Sequence, residues 1–313
     1  MTATIGTGPS VREGSTAAGG GTSSRPRRSR PLISYGRWWW ALPAILMVLL
    51  IHYVATAGGA VYAFTDWTGI GDFDFIGLEN FRRIFEDPKV FGSIKNTLFL
   101  AFGFLIATNV VGLVLALALN RTLKTRYLLR VLFFMPVVLS PLAVSYIWKF
   151  IFDFNGPLNG LIGWFGAEPK TWLADPALAL WAVLIVMAWQ TTGMVMVIYL
   201  AGLATVPTEI EEAAALDGAS TWRRFRHITV PSIRPSIAIA STLMLIQGLR
   251  VFDQVLALTG GGPAGATETL ATQVYKETFA LSNFGFGAAL ALVLTVIILV
   301  FAVLQQAATK DRS

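Results

Sequence analysis

Glu212-Ala213-Ala214-Ala215-Leu216-Asp217-Gly218, followed by Ile228-Thr229-Val230-Pro231, is a polar stretch with a glycine bend, set between two long apolar segments. A plain connector needs no such order. Thr208 with Glu211 three residues later fits a capping box just past Pro207. Glu209, Glu211 and Glu212 then fall in the first helical turn, where the helix dipole favours acids. Ala213, Ala214, Ala215 and Leu216 are strong helix formers. Gly218 stops the helix, because glycine accepts the left-handed conformation beyond a C-terminus. Ser220 caps a second short helix holding Trp222, Arg223, Phe225 and Arg226. Pro231 is expected to end that helix, and Pro235 to set the entry to the next apolar segment. The reading over 205–235 is helix, turn, helix. Its alanine face lets another protein approach closely, and Glu212 offers a carboxylate to an Arg or Lys of that partner. An ordinary capped helical hairpin has the same local chemistry.

The rest of the chain is a membrane protein by composition. Apolar residues make up 55% and charged residues 13%, against about 25% charged in a usual soluble domain. Six segments hold the roughly 20 apolar residues a membrane-crossing helix needs. They run over 38–64, 97–119, 131–152, 178–204, 236–258 and 285–305. The expected fold is therefore an all-α integral membrane protein with six transmembrane helices. Trp38, Trp39 and Trp40 sit where an interfacial aromatic belt belongs. Residues 1–34 are Gly/Ser/Thr-rich with Arg25, Arg27, Arg28 and Arg30; they are read as a disordered cytosolic tail rather than a cleavable signal peptide. Residues 35–313 form the membrane domain.

Orientation follows from the short loops. Arg121, Lys124, Arg126 and Arg130 lie between the second and third spans, and Arg223, Arg224, Arg226 and Arg234 between the fourth and fifth. Lys310 and Arg312 close the chain, whereas the alternate loops hold Asp153, Glu168, Asp175, Glu268 and Glu277. The positive-inside rule puts both termini and the 205–235 loop in the cytoplasm. It also accounts for the net charge of +6 through membrane lipid and orientation, and nucleic acid is not an expected partner. The chain has no cysteine, and its two histidines, His52 and His227, lie far apart, so no metal site is expected. Outside the membrane, 78–85 and the residues Leu270, Val274, Tyr275 and Phe279 read as two amphipathic surface helices.

The order Glu-Ala-Ala, three residues, Gly, nine residues, Ile-x-Val-Pro resembles the cytoplasmic coupling loop of permease subunits of ATP-driven (ABC) importers. Further stretches are similar to the sugar-type members of that family: Phe75 to Phe81, Asn96-Thr97-Leu98, Phe134-Met135-Pro136, Ile147-Trp148, Trp189 to Gly193 and Tyr199 to Leu203. Phe252-Asp253 followed by Leu258-Thr259-Gly260-Gly261-Gly262-Pro263 is similar to the first permease of maltose- and glycerol-phosphate-type importers. The resemblance implies contact with the ATPase through Glu212, Ala213, Ala214, Asp217, Gly218, Ile228 and Pro231. It implies a second permease subunit, two ATPase subunits and an extracytoplasmic solute-binding protein as partners, in a bacterial or archaeal plasma membrane. No nucleotide-binding loop occurs in the chain, since no Gly-Lys-Ser/Thr follows a glycine run. ATP and Mg thus belong to the partner, and this chain is expected to carry no cofactor and no catalytic residues.

A path for solute is read in two spans. Gln247, Arg250 and Asp253 recur every three residues, so in a continuous helix they share a face and Arg250 can pair with Asp253. Phe252 and Trp189 offer apolar faces for a sugar ring. Gln190, Thr191 and Gly193 are the second-side candidates, though Gly193 serves helix packing equally well. His52 reads as a buried polar group and Asn109 as an interhelical hydrogen bond; neither is placed in the site. The function expected is import of a carbohydrate or related polyol by alternating access, with glycerol-3-phosphate or another small solute as the alternative within the family. An ion-coupled secondary carrier, with Asp253 as its ion site, is the alternative of a different class. A membrane enzyme is not supported, since no catalytic constellation is present.

Overall fold

The computed structural model describes residues 38–121 and 123–310. The tail over 1–34, with Arg25, Arg27, Arg28 and Arg30, and Arg312 lie outside the described residues, as do the side chains of Trp38 and Lys310. The chain divides into two units, 1–50 and 51–313. Of the first, the described part is helical and apolar, and its described side chains, Trp39 and Trp40 included, are exposed. Helix α1 (Trp39–Tyr62) runs across the division.

Among the described residues every regular element is a helix. Four are long and apolar enough to cross a membrane: α1, α3 (Pro88–Leu119), α7 (Pro176–Leu203) and α13 (Phe284–Lys310). The count rises to six only if two bent pairs are each one span. The first pair is α4 (Arg126–Val138) with α5 (Pro141–Ile151), bent by 101°. The second is α9 (Thr221–Ser232) with α10 (Arg234–Leu249), bent by 69°. The shorter helices are α2 (Glu79–Glu86), α6 (Pro157–Trp164), α8 (Thr208–Leu216), α11 (Asp253–Leu258) and α12 (Leu270–Tyr275). Helices stand at both stretches expected to be amphipathic surface helices, but only α2 keeps most of its side chains exposed: Leu270, Thr272 and Gln273 of α12 are buried, and Phe279 lies beyond it in a π turn.

Helix starts follow local chemistry. Asp87 caps α3 by accepting the Lys89 N–H at 2.8 Å, with Pro88 in the first turn. Asp175 does the same for α7 through Ala177 at 2.8 Å, ahead of Pro176. These caps lengthen both helices beyond their apolar cores.

Two expected spans are not straight. The span over 131–152 breaks at Leu139 and Ser140, both extended. Pro141 forces its predecessor out of helical geometry, and the Ser140 hydroxyl caps the new helix by accepting from Ala143 at 3.2 Å. The span over 236–258 stops at Leu249, leaves helical form through Phe252, and resumes as α11. The Val251 carbonyl exposed by that break accepts from the Thr269 hydroxyl at 3.2 Å.

The principal core lies between α3, α7 and α10, with Leu100, Phe104, Met187, Val195, Met196, Tyr199 and Met244 buried. Inside it the Asn109 amide oxygen accepts from the Tyr199 hydroxyl and from Ser241 at 3.4 Å, tying all three helices together. Asn109 is therefore the interhelical bond expected. His52 differs: it is exposed on α1. A second core joins Ala63, Ile84, Val90, Leu270, Phe286 and Leu290. There the buried Asn80 amide donates to the Ala63 and Thr65 carbonyls at 3.0 and 2.8 Å, pinning the chain as it leaves α1.

Helix α7 meets α4 at Gly193, where an added Cβ would stand 2.1 Å from the Phe133 carbonyl oxygen. Backbone has no rotamer with which to give way. Gly193→Ala is expected to cost about 1–3 kcal/mol as overpacking, read as a lowered melting temperature of the purified protein. Gly163→Ala, at a position with nothing within 4 Å, is the control and should melt unchanged.

Candidate functional site: a braced hairpin and a broken-helix path

The 205–235 loop is a helical hairpin. Helix α8 ends in a full glycine turn: Gly218 has φ +78°, its N–H donates to Ala215 at 3.1 Å, and the Ala219 N–H reaches Ala214 at 2.9 Å. These two bonds satisfy carbonyls the helix end would otherwise strand. The Ser220 hydroxyl caps α9 by accepting from Arg223 at 3.3 Å. The stop and the second cap are as the sequence implied.

Two expectations about this hairpin are corrected. The capping box of Thr208 and Glu211 does not form. Pro207 holds the N-cap position, so Thr208 is already helical and Glu211 falls one place beyond the reach of a box. The Glu211 carboxylate instead accepts from the Thr229 hydroxyl at 3.1 Å, across to α9. Pro231 does not end the second helix either. A wide π turn over Phe225–Thr229 precedes it and the helix continues to Ser232. Such a turn accommodates the missing proline donor within a helix.

The hairpin presents an exposed face. Glu212, Ala213, Asp217 and Gly218 are exposed, Leu216 is 90% exposed, and Ala214, Ile228 and Pro231 are partly buried. Glu212 has no ion-pair partner among the described residues. An uncommitted carboxylate beside alanines and a bare leucine has the chemistry that can meet a basic residue and an apolar contact of another protein.

The residues read as a solute path separate into two groups. Gln190, Thr191 and Gly193 are buried on α7. The Gln190 amide donates to the Leu139 carbonyl at 2.9 Å and accepts from Gln254 at 3.2 Å. It therefore joins α7 to the α4–α5 elbow and to α11. Gln247, Arg250 and Asp253 are exposed. They do not form one helical stripe, because α10 ends at Leu249. Among the described residues no ion pair joins Arg250 to Asp253. Phe252 is half-buried, its ring 5.4 Å from that of Tyr275. Trp189 stands edge-on to Trp148 at 5.4 Å, beside an apolar groove of about 420 Å³ that reaches Pro136 and Gly193.

Sequence reading missed three features: the elbow at Leu139, the role of Gln254, and the brace from Glu211 to Thr229. The elbow had a signal in Ser140-Pro141. The other two are long-range contacts that spacing does not encode.

Comparison with known proteins agrees with this geometry. Residues 108–312 match the family described as "Binding-protein-dependent transport system inner membrane component". The multiple sugar-binding transport system permease protein MsmF of Streptococcus mutans is 36% identical, over 88% of this chain and 95% of that one. The probable starch degradation products transport system permease protein AmyD of Thermoanaerobacterium thermosulfurigenes is 34% identical over the same shares. The trehalose/maltose transport system permease protein MalF of Thermococcus litoralis is 32% identical, over 83% and 88%. The fold is shared with a chain of a bacterial ABC transporter that imports the acidic polysaccharide alginate, at a TM-score of 0.77, 22% identity, and coverage of 87% and 94%. With a family model over 108–312 and relatives of 34% and 36% identity aligned over 88% of its length, the chain belongs to the binding-protein-dependent transport system inner membrane components, as a permease subunit of an ABC importer and not an enzyme.

Proposed function

We propose that this permease forms half of the translocation path of an ATP-driven carbohydrate importer. Sugars and oligosaccharides named for its relatives support that substrate class. The observation that carries the coupling role is the capped, exposed α8–α9 hairpin, whose Gly218 turn sets the angle of the contact face. In this reading six spans cross the membrane, α4–α5 counting as one and α10–α11 as another, with both termini and the α8–α9 hairpin in the cytoplasm. A second permease completes the path. Two ATPase subunits engage Glu212, Ala213, Ala214, Asp217 and Gly218, with Ile228 and Pro231 shaping the second arm. An extracytoplasmic binding protein delivers the solute; a structure of the alginate transporter with its pentasaccharide-bound periplasmic protein is one such assembly.

Alternating access then follows from differential contact. ATPase closure favours one conformation of the permease pair, and only the difference in contact energy shifts the populations. Gln190 stands where three movable pieces meet: α7, the elbow and α11. Arg250, Asp253, Gln247 and Phe252 lie at the break in the α10–α11 rod, where backbone and side chains are free to meet a polyol. Gln190, Thr191 and Gly193 shape the opposing wall, and Trp189 offers a ring face.

One observation favours a second reading within the family. Arg250 is exposed with no acidic partner among the described residues, which suits a phosphorylated polyol such as glycerol-3-phosphate.

In reconstituted vesicles with the partner subunits, Gly218→Val should abolish ATP-driven uptake, since a β-branched residue resists φ near +78°. Solute binding by the outside protein should persist. Uptake at the normal rate would remove the coupling role. Arg250→Gln separates the substrates: a loss of about tenfold or more for a phosphorylated polyol, with neutral sugar uptake absent throughout, would replace carbohydrate by the second reading. Retained neutral sugar uptake supports the first.

A further inference from the structure

An apolar groove of about 700 Å³ runs between the end of α3 and the hairpin. Its α3 wall is one helical stripe: Val110, Leu113, Val114 and Leu117. Trp222 and Phe225 of α9 face it, their rings 5.5 Å apart. The solute path does not use it, and the contact face of Leu216 and Glu212 does not line it.

The stripe ends in polar residues. Asn120 caps α3, Arg121 follows it, and Arg224 of α9 also lines the groove. From Val110 to Asn120 is ten helical steps, about 15 Å, which equals the ~15 Å hydrocarbon depth of one leaflet. A chain laid along the stripe from mid-membrane therefore reaches the arginines where a lipid headgroup sits.

The charges fit the same ligand. The Arg224 Nε is buried without a hydrogen-bond partner among the described residues, while its Nη2 makes one long contact of 3.5 Å to Thr221. Arg121 is exposed. The one acid on the lining, Glu211, already accepts from Thr229. Two guanidiniums above an apolar slot suit a phosphate that carries an acyl chain, and guanidinium binds phosphate through paired donors.

We infer that this groove is a binding site for one anionic phospholipid of the leaflet on the hairpin's side, with its phosphate between Arg121 and Arg224 and an acyl chain along Val110 to Leu117. The lipid would wedge α9 against α3 and so set the resting angle of the hairpin. This site is separate from the solute path and its existence does not rest on which solute is carried.

The test is native mass spectrometry of the assembled transporter in detergent, with phosphatidylglycerol or phosphatidylcholine of identical acyl chains added at equal concentration. Phosphatidylglycerol should be retained about tenfold more strongly, as two basic residues near a membrane surface imply. Arg121→Gln with Arg224→Gln should erase that preference, and Arg121→Lys with Arg224→Lys should keep most of it, which separates charge from a folding defect. Inorganic phosphate should not displace the lipid. Equal retention of the two lipids by the native protein, or a preference untouched by the glutamine pair, overturns the assignment. So does displacement by phosphate alone, which would make the site an anion site without a tail. Loss of the preference when the second permease joins the isolated chain would make that permease the occupant.

Discussion

A backbone carbonyl in hydrocarbon must find a donor, since no water is there to supply one. The break between α4 and α5 leaves the Leu139 carbonyl in that position, and the Gln190 amide takes it at 2.9 Å. Without that bond a 101° bend inside a membrane would strand a polar group at a cost of several kcal/mol. With it, α7 can remain a straight 28-residue helix and serve as the post on which the elbow and α11 are hung. The second break is treated likewise, with Thr269 taking the Val251 carbonyl. Among the described residues each of these two breaks thus has a carbonyl closed by a named side chain.

Packing supports the same arrangement. Gly193 lets α4 lie directly on α7, so the elbow begins at a contact of backbone with side chain-free backbone. Gly248 does this for α10, where an added Cβ would stand 2.7 Å from the Ala101 Cα of α3. The Asn109, Tyr199 and Ser241 cluster then fixes the rotation of α3, α7 and α10 about their axes. Apolar contacts alone hold helices together without choosing a rotation in lipid; hydrogen bonds and small residues make that choice.

Legibility in the sequence followed the range of the interaction. The cap at Ser220 and the stop at Gly218 are set within a few residues and were readable, whereas the caps at Asp87 and Asp175, equally local, were not read, so both spans were expected to start later than they do. The apolar runs gave the straight spans because their length is a matter of composition. Arg250 and Asp253 misled because helical spacing holds only while the helix lasts, and its end at Leu249 has no proline or glycine after it to announce it. Glu211 misled for a related reason. Two acceptable partners existed, a near one in the capping box and a far one in Thr229, and only the packed hairpin decides between them. The exposure of Glu212 was legible because an alanine-rich polar helix has no core of its own to bury.

The bond from Glu211 to Thr229 gives the hairpin a mechanical character. Two helices joined only at Gly218 make an open pair of tongs, and a push at Leu216 would fold them together and be lost as heat. A strut from the first arm to the base of the second closes the figure into a triangle, the one polygon that cannot change shape without stretching a side. Thr229 lies four residues before Ile233, which is buried against the membrane helices. The strut therefore lands close to the root of α10, so the two arms and that root are tied at one point.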